Sequence, residues 1–132
     1  MNALSIIELS KEYNNGVKAL QSINFNVKQG DFFALLGPNG AGKTTAIGII
    51  TSLVNKTSGQ VKVFDFDIDK HLNQAKACIG VVPQEVNLNL FDRTFNILVN
   101  QAGFYGIPRK ESIERSEYFL KKMELWDKRD EM

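Results

Sequence analysis

The sequence has few of the residues that build metal clusters and disulfides. Its 132 residues include one cysteine, Cys78, and one histidine, His71. A single cysteine excludes an internal disulfide and a cysteine-based zinc cluster, and it fits a reducing cytoplasm. A lone histidine has no partner for a metal site. We therefore expect Cys78 to be a small core residue and His71 to be solvated.

Long apolar runs and an excess of charge are also missing. The longest apolar run, Phe32–Leu36, is far shorter than the roughly 20 residues that cross a bilayer. Met1–Leu9 has no leading positive charge and is interrupted by Glu8, so it does not resemble a signal peptide. Sixteen basic and fifteen acidic residues give a formal net charge of +1, without a basic stripe. We expect no membrane span, no secretion and no nucleic-acid partner.

The first half of the chain has the patterns of short strands. Alternation and β-branched residues predict two antiparallel strands near the N-terminus, at Leu4–Leu9 and Ile23–Val27. The uninterrupted apolar run Phe32–Leu36 predicts a central strand that is buried on both faces. Two further strands are predicted at Val61–Phe64 and Ile79–Val82.

Helical periodicity predominates later in the chain. A helix is predicted to begin near Lys43 and a short one to span Leu72–Ala77. From Thr94 onward the pattern is helical throughout. Two apolar stripes are predicted to face a core, one made of Phe95, Leu98, Val99 and Ala102, the other of Ile113, Leu120 and Met123.

A glycine-rich loop lies between the predicted central strand and the first helix. It matches G-x-x-x-x-G-K-[ST] at every fixed position. Its residues are Gly37, Pro38, Asn39, Gly40, Ala41, Gly42, Lys43 and Thr44. The glycines permit positive φ, so successive N–H groups can form an anion nest, and the helix adds the positive end of its dipole. Lys43 is expected to reach the β and γ phosphates and the Thr44 hydroxyl to hold Mg²⁺. We therefore predict that the loop binds a nucleoside triphosphate, MgATP.

The loop and its surroundings resemble one family in particular. Leu35–Thr45 resembles the Walker A segment of ATP-binding cassette (ABC) ATPases, rather than that of Ras-like GTPases or small-molecule kinases. Val27–Asp31 resembles the family's turn before the Walker strand, and Thr57–Val61 its segment after the Walker helix. The resemblance covers the whole chain. It implies an α/β P-loop core with N-terminal antiparallel strands in residues 1–84, and a Q-loop with the start of a helical subdomain in residues 85–132.

The resemblance also implies further site residues. Tyr13 matches the aromatic residue that stacks on adenine, and Thr45 belongs to the nucleotide-binding segment. Gln84 matches the Q-loop glutamine, which touches Mg²⁺ or the attacking water. Lys43 and Gln84 are thereby the expected catalytic residues, and Thr44 and Gln84 the expected Mg²⁺ ligands. One departure is Asp65, which lies where such sequences usually have glycine.

Partners and location are implied in the same way. The nearest likeness is to the ATPase subunits of bacterial exporters whose membrane subunit is a separate chain, carried by Gly48–Gly59 and Val99–Gly106. The segment Glu85–Tyr105 would receive the transmembrane subunit, with Phe91, Phe104 or Tyr105 as possible contacts. A second ATP-binding subunit would complete the site, and the protein would be peripheral on the cytoplasmic face of the membrane.

Several family motifs are not in the 132 residues. The sequence has no Leu-Ser-Gly-Gly signature, Walker B aspartate with its catalytic glutamate, or switch histidine. Ser58–Gln60 comes too soon after the Walker helix to be a signature, and Val61–Asp65 has no glutamate after its aspartate. We expect a truncated protein that binds nucleotide without hydrolysing it.

Two other functions remain open at this point. One is a soluble ABC ATPase that acts on ribosomes or DNA, which the near-neutral charge disfavours. The other is a small P-loop kinase, although the sequence has no arginine-rich lid.

Overall fold

The computed structural model describes residues 1–40, 42–85 and 87–132. These residues form two compact units, Met1–Val81 and Val82–Met132. The functional boundary predicted after residue 84 stays a prediction.

The first unit is built on a four-stranded antiparallel sheet. Its strands are β1 (Asn2–Glu12), β2 (Lys18–Lys28), β3 (Ser58–Val63) and β4 (Phe66–Asp67), in the spatial order β2-β1-β3-β4. The two predicted N-terminal strands are confirmed as an antiparallel pair, and the predicted strand at Val61–Phe64 is confirmed as β3.

One face of the sheet packs against helix α1 (Lys43–Ile50). Ile6 and Leu9 are three residues apart in β1, and the bulge between them lets both join Val61 of β3 in one core. From the helix, Ala46 and Ile49 enter the same core, and both are at most 1% exposed. This packing fixes the position of α1 on the sheet. The predicted helix near Lys43 is confirmed.

The predicted strands at Phe32–Leu36 and Ile79–Val82 are wrong. Neither segment is a strand, and Phe32 and Leu36 are 101% and 87% exposed. A strand needs neighbours that accept and donate its backbone hydrogen bonds. An apolar run predicts burial but does not supply those neighbours, and no strand of the described residues pairs with either segment.

Helix α2 (Leu72–Ala77) is confirmed, but the prediction for Cys78 beside it is wrong. Cys78 is exposed because it follows the end of a short helix whose buried residue is Ala75. His71, just before this helix, is exposed as predicted, and its ring makes an edge contact with Phe66 at 6.3 Å between centroids. Asp65 does not have positive φ, whereas the preceding Phe64 does, at 47°.

The second unit consists of α3 (Thr94–Phe104), α4 (Arg109–Lys122) and a 3₁₀ turn (Trp126–Lys128). In α3 the predicted stripe is partly right: Val99 is buried and Phe95 and Ala102 are half-buried, but Leu98 is 36% exposed. In α4 the predicted stripe is only partly right, because Ile113 and Met123 are exposed. Its buried row is instead Ser112, Ser116 and Leu120, spaced four residues apart.

The C-terminal residues of this unit fold back on α3. The carbonyl of Glu131 accepts hydrogen bonds from the Thr94 N–H and hydroxyl, and the Arg129 carbonyl accepts from the Phe95 N–H. Phe95 also meets Trp126 edge-on, with 6.2 Å between ring centroids. Backbone carbonyls of the C-terminal residues therefore accept hydrogen bonds from the free amides in the first turn of α3. Among the described residues, no helix is both long and apolar enough to cross a membrane.

Candidate functional site

Two glycines of the loop have left-handed backbone conformations. Gly40 has φ 83° and Gly42 has φ 92°, a region that strains residues with a side chain. A Cβ atom at Gly42 would also lie 2.5 Å from the carbonyl oxygen of Ala19. The end of the loop thus lies directly against the start of β2. The positive φ predicted from the glycine pattern is confirmed at these two positions, and Ala41 lies outside the described residues.

Helix α1 begins at the end of this loop. Its N-cap residue is Gly42, which has no side chain to accept hydrogen bonds from the first-turn amides. The first turn of the helix also contains no acidic residue. The N–H groups of a first helical turn have no partner within the helix, and the helix dipole places positive potential beside them. This end of α1 can therefore attract an anion.

The Lys43 side chain turns back over the loop. Its Nζ donates hydrogen bonds to the carbonyl oxygens of Gly37 and Pro38, the latter at 3.1 Å. The ammonium group is thereby held beside the loop that precedes it. The neighbouring Thr44 is exposed, as are Pro38 and Asn39. A ligand that enters from solvent can reach all of these positions.

Tyr13 lies at the same place, on the turn that follows β1. Its hydroxyl is 3.2 Å from the Thr45 Oγ1 atom in the first turn of α1. The ammonium of Lys11 lies 4.9 Å from the centroid of the Tyr13 ring. The side chain remains accessible, since the residue is 38% exposed. An accessible aromatic ring is therefore fixed next to the glycine loop.

Tyr13 and the loop line one open cavity of about 470 Å³. Its walls are formed by Tyr13, Val17, Lys18, Ala19, Asn39, Gly40, Gly42, Lys43, Thr44 and Thr45. Val17, Lys18 and Ala19 were not predicted from the sequence. The turn residues Asn14–Gly16 were the available signal, because a chain reversal there returns the next residues to the side of Tyr13.

Gln84 lies in the second unit and is exposed. Its expected contact with Mg²⁺ or water stays a prediction. The described residues contain no group of three or more histidine, cysteine or acidic side chains that could hold a metal ion. A cation at the glycine loop would be coordinated by the Thr44 hydroxyl and by oxygens of a bound phosphate ligand. Mg²⁺ is commonly bound in this way.

The antiparallel strands, the glycine loop and the helix that begins at its lysine define a P-loop nucleotide-binding class of protein. Residues 20–132 match the sequence pattern of the ABC transporter family. The chain belongs to that family.

Individual relatives agree with this membership. The chain is 37% identical over 109 residues to the linearmycin resistance ATP-binding protein LnrL of Bacillus subtilis, with 83% of this chain and 35% of the relative covered. It is 38% identical to the bacitracin transport ATP-binding protein BcrA of Bacillus licheniformis, with 81% and 35% covered. Other matched relatives are named as phosphonates import ATP-binding proteins.

A solved structure shows the same fold. CbiO1 from Clostridium perfringens, part of the ABC transporter complex CbiONQ, superimposes with a TM-score of 0.84 at 27% identity. The alignment covers 98% of this chain and 53% of CbiO1. The chain thus spans about half of that structure and about a third of the two curated relatives.

Proposed function

We propose that this chain is the nucleotide-binding part of an ABC transporter ATP-binding subunit and that MgATP binds in the cavity between Tyr13 and the glycine loop. The observation that carries the proposal is that one cavity holds an accessible aromatic ring, two left-handed glycines, and the Lys43 and Thr44 side chains. The aromatic ring can stack on a base, the glycine loop and Lys43 can bind a phosphate chain, and the Thr44 hydroxyl can coordinate a phosphate-bound cation.

Each group has a defined task in this proposal. The amides at the start of α1 bind phosphate oxygens. The Lys43 ammonium leaves the carbonyls of Gly37 and Pro38 and donates hydrogen bonds to the β and γ phosphates instead. Thr44 would hold the Mg²⁺ that accompanies the triphosphate, and the cation would neutralise part of the phosphate charge. The Tyr13 ring receives the adenine by stacking.

The whole protein would couple ATP hydrolysis to transport. We propose that it works with a separate membrane subunit and with a second ATP-binding subunit, on the cytoplasmic face of the membrane. Export is the proposed direction. LnrL is named for linearmycin resistance and BcrA for bacitracin transport, while the phosphonates relatives are importers by name. Gln84 would act at Mg²⁺ or at the attacking water.

The membrane subunit would dock on the segment Glu85–Tyr105. Phe91 and Phe104, two of the expected contacts, are 90% and 84% exposed, and Tyr105 is 47% exposed. Exposed aromatic side chains are enriched in protein interfaces, which supports this surface as the contact.

Replacement of Lys43 tests the site. Charge-assisted hydrogen bonds contribute roughly 1.5 to 3 kcal/mol each, so Lys43→Ala should weaken MgATP binding by one to two orders of magnitude in calorimetry. Lys110→Ala removes an exposed lysine from α4 and serves as the control, with affinity unchanged. An unchanged affinity in Lys43→Ala would show that the nucleotide does not bind here.

Hydrolysis by the chain alone is not expected. The 132 residues lack the Walker B aspartate and the glutamate that the family resemblance assigns to Mg²⁺ and water. Phosphate release from MgATP should therefore stay at the rate without protein. Steady release that disappears in Lys43→Ala would contradict this part of the proposal.

A further inference from the structure

The Tyr13 side chain is held at its tip by another residue of the cavity. Its phenolic hydroxyl and the Thr45 hydroxyl are 3.2 Å apart, across 32 positions of sequence. One group lies after the first strand and the other lies in the first turn of α1. The bond therefore joins the part of the cavity that would take a base to the part that would take phosphates.

The backbone on either side of Tyr13 is already fixed. The Tyr13 N–H donates to the Val17 carbonyl at 2.9 Å, and the Tyr13 carbonyl accepts from the Gly16 N–H at 2.8 Å. The Glu12 N–H donates to the Thr57 hydroxyl at 2.9 Å. These bonds set where the side chain leaves the chain, but they do not choose its rotamer.

Packing covers only part of the side chain, because the residue is 38% exposed. The described polar contact of the side chain is the one with Thr45, and Lys11 lies 4.9 Å from the ring centroid. Thr45 suits this task. Threonine is restricted to two main χ1 rotamers in a helix, and α1 itself is anchored by the buried Ala46 and Ile49.

We propose that Thr45 is a positioning residue for Tyr13, whose hydroxyl orients the aromatic ring that stacks on the nucleotide base. This inference rests on the proposed function and adds a specific residue and contact to it. Loss of the hydrogen bond frees the ring to adopt other rotamers, so the bound base loses part of its stacking partner. The effect is on the base and not on the phosphates.

The test compares two ligands, MgATP and inorganic tripolyphosphate with Mg²⁺, by calorimetry on the full 132-residue chain. The dissociation constant of tripolyphosphate divided by that of MgATP measures how much the nucleoside adds to the affinity. Loss of base stacking lowers this ratio. A neutral hydrogen bond is worth about two- to tenfold in affinity. Tyr13→Phe, which keeps the ring, and Thr45→Val, which keeps the shape, should each reduce the ratio by that factor.

The double variant separates a shared contact from two independent ones. Tyr13→Phe with Thr45→Val should reduce the ratio no further than either single change, because both remove one hydrogen bond. Thr45→Ser keeps a hydroxyl and should restore most of the ratio. Tyr118→Phe, which removes an exposed hydroxyl from α4, is the control and should leave the ratio unchanged.

Two results would overturn the inference. If Tyr13→Phe leaves the ratio unchanged, the phenolic hydroxyl does not orient the base contact. If Thr45→Val weakens both ligands by the same factor, Thr45 acts on phosphate alone. Failure of the wild-type chain to bind either ligand would instead refute the proposed function, and the inference would fall with it.

Discussion

At the scale of single residues, Gly40 and Gly42 form a matched pair with different surroundings. Both have positive φ, so alanine at either position is strained by about 1 to 2 kcal/mol. A Cβ atom at Gly40 would have no heavy atom within 4 Å, whereas one at Gly42 would overlap the Ala19 carbonyl and the Leu20 side chain. The two positions therefore separate backbone strain from steric overlap.

Gly42→Ala should lower the free energy of unfolding more than Gly40→Ala does. Overlap with a packed backbone adds roughly 1 to 3 kcal/mol to the strain that both variants share. Urea denaturation followed by circular dichroism measures the difference. Equal losses in the two variants would show that the loop does not lie against β2 as the structure has it.

Residues of the site differ in how far the sequence could predict them. The spacing of Gly42, Lys43 and Thr44 is a local pattern with a local geometry, so their positions beside one another follow directly. The pairing of Tyr13 with Thr45 does not, because it depends on how α1 packs across the sheet. Only the structure joins those two hydroxyls.

At the scale of elements, a buried carboxylate joins β3 to β4. Asp67 accepts hydrogen bonds from the Gln60 side chain and from the Asp69 N–H, both at 2.8 Å. These bonds lower the pKa of Asp67 below its usual 3.8, although burial opposes them. A group with a lowered pKa stabilises the fold above its unfolded pKa, and that stability is lost as the pH falls through the folded value.

The free energy of unfolding should therefore decrease below about pH 4, and Asp67→Asn should remove part of that dependence. The variant should also be less stable at neutral pH, because an asparagine amide nitrogen cannot accept the bond from Gln60. Denaturation between about pH 7 and pH 2.5 measures both effects. Asp65→Asn, an exposed change two residues away, is the control. An acid dependence that is identical in Asp67→Asn and wild type would refute the role of Asp67.

Elements were predictable where their stabilising contacts are local. The hydrogen bonds of α1 and α2 form within each helix, and the first two strands pair across a short turn. Phe32–Leu36 and Ile79–Val82 have strand-like composition, but a strand also needs partners that are distant in sequence. The pattern of a segment does not contain that information.

At the scale of the whole molecule, the family resemblance predicted more of the fold than any local pattern did. The overall class, a P-loop core with N-terminal antiparallel strands and the start of a helical subdomain, followed from the glycine loop and its flanking sequence and is confirmed by the structural match to CbiO1. The division between Val81 and Val82 separates the cavity proposed for the nucleotide from the helices that carry the proposed docking surface. We expect nucleotide to bind to the first unit.

The most direct test of the account is an amide NMR titration of the 132-residue chain with MgATP. We expect the largest shift changes on Tyr13, Gly40 and Gly42–Thr45, with residues 17–19 of the cavity wall affected next. In Lys43→Ala the same changes should need roughly ten- to hundredfold more nucleotide. Changes that are confined to α3 and α4, or none at saturating nucleotide, would contradict the claim that this cavity is the ATP site.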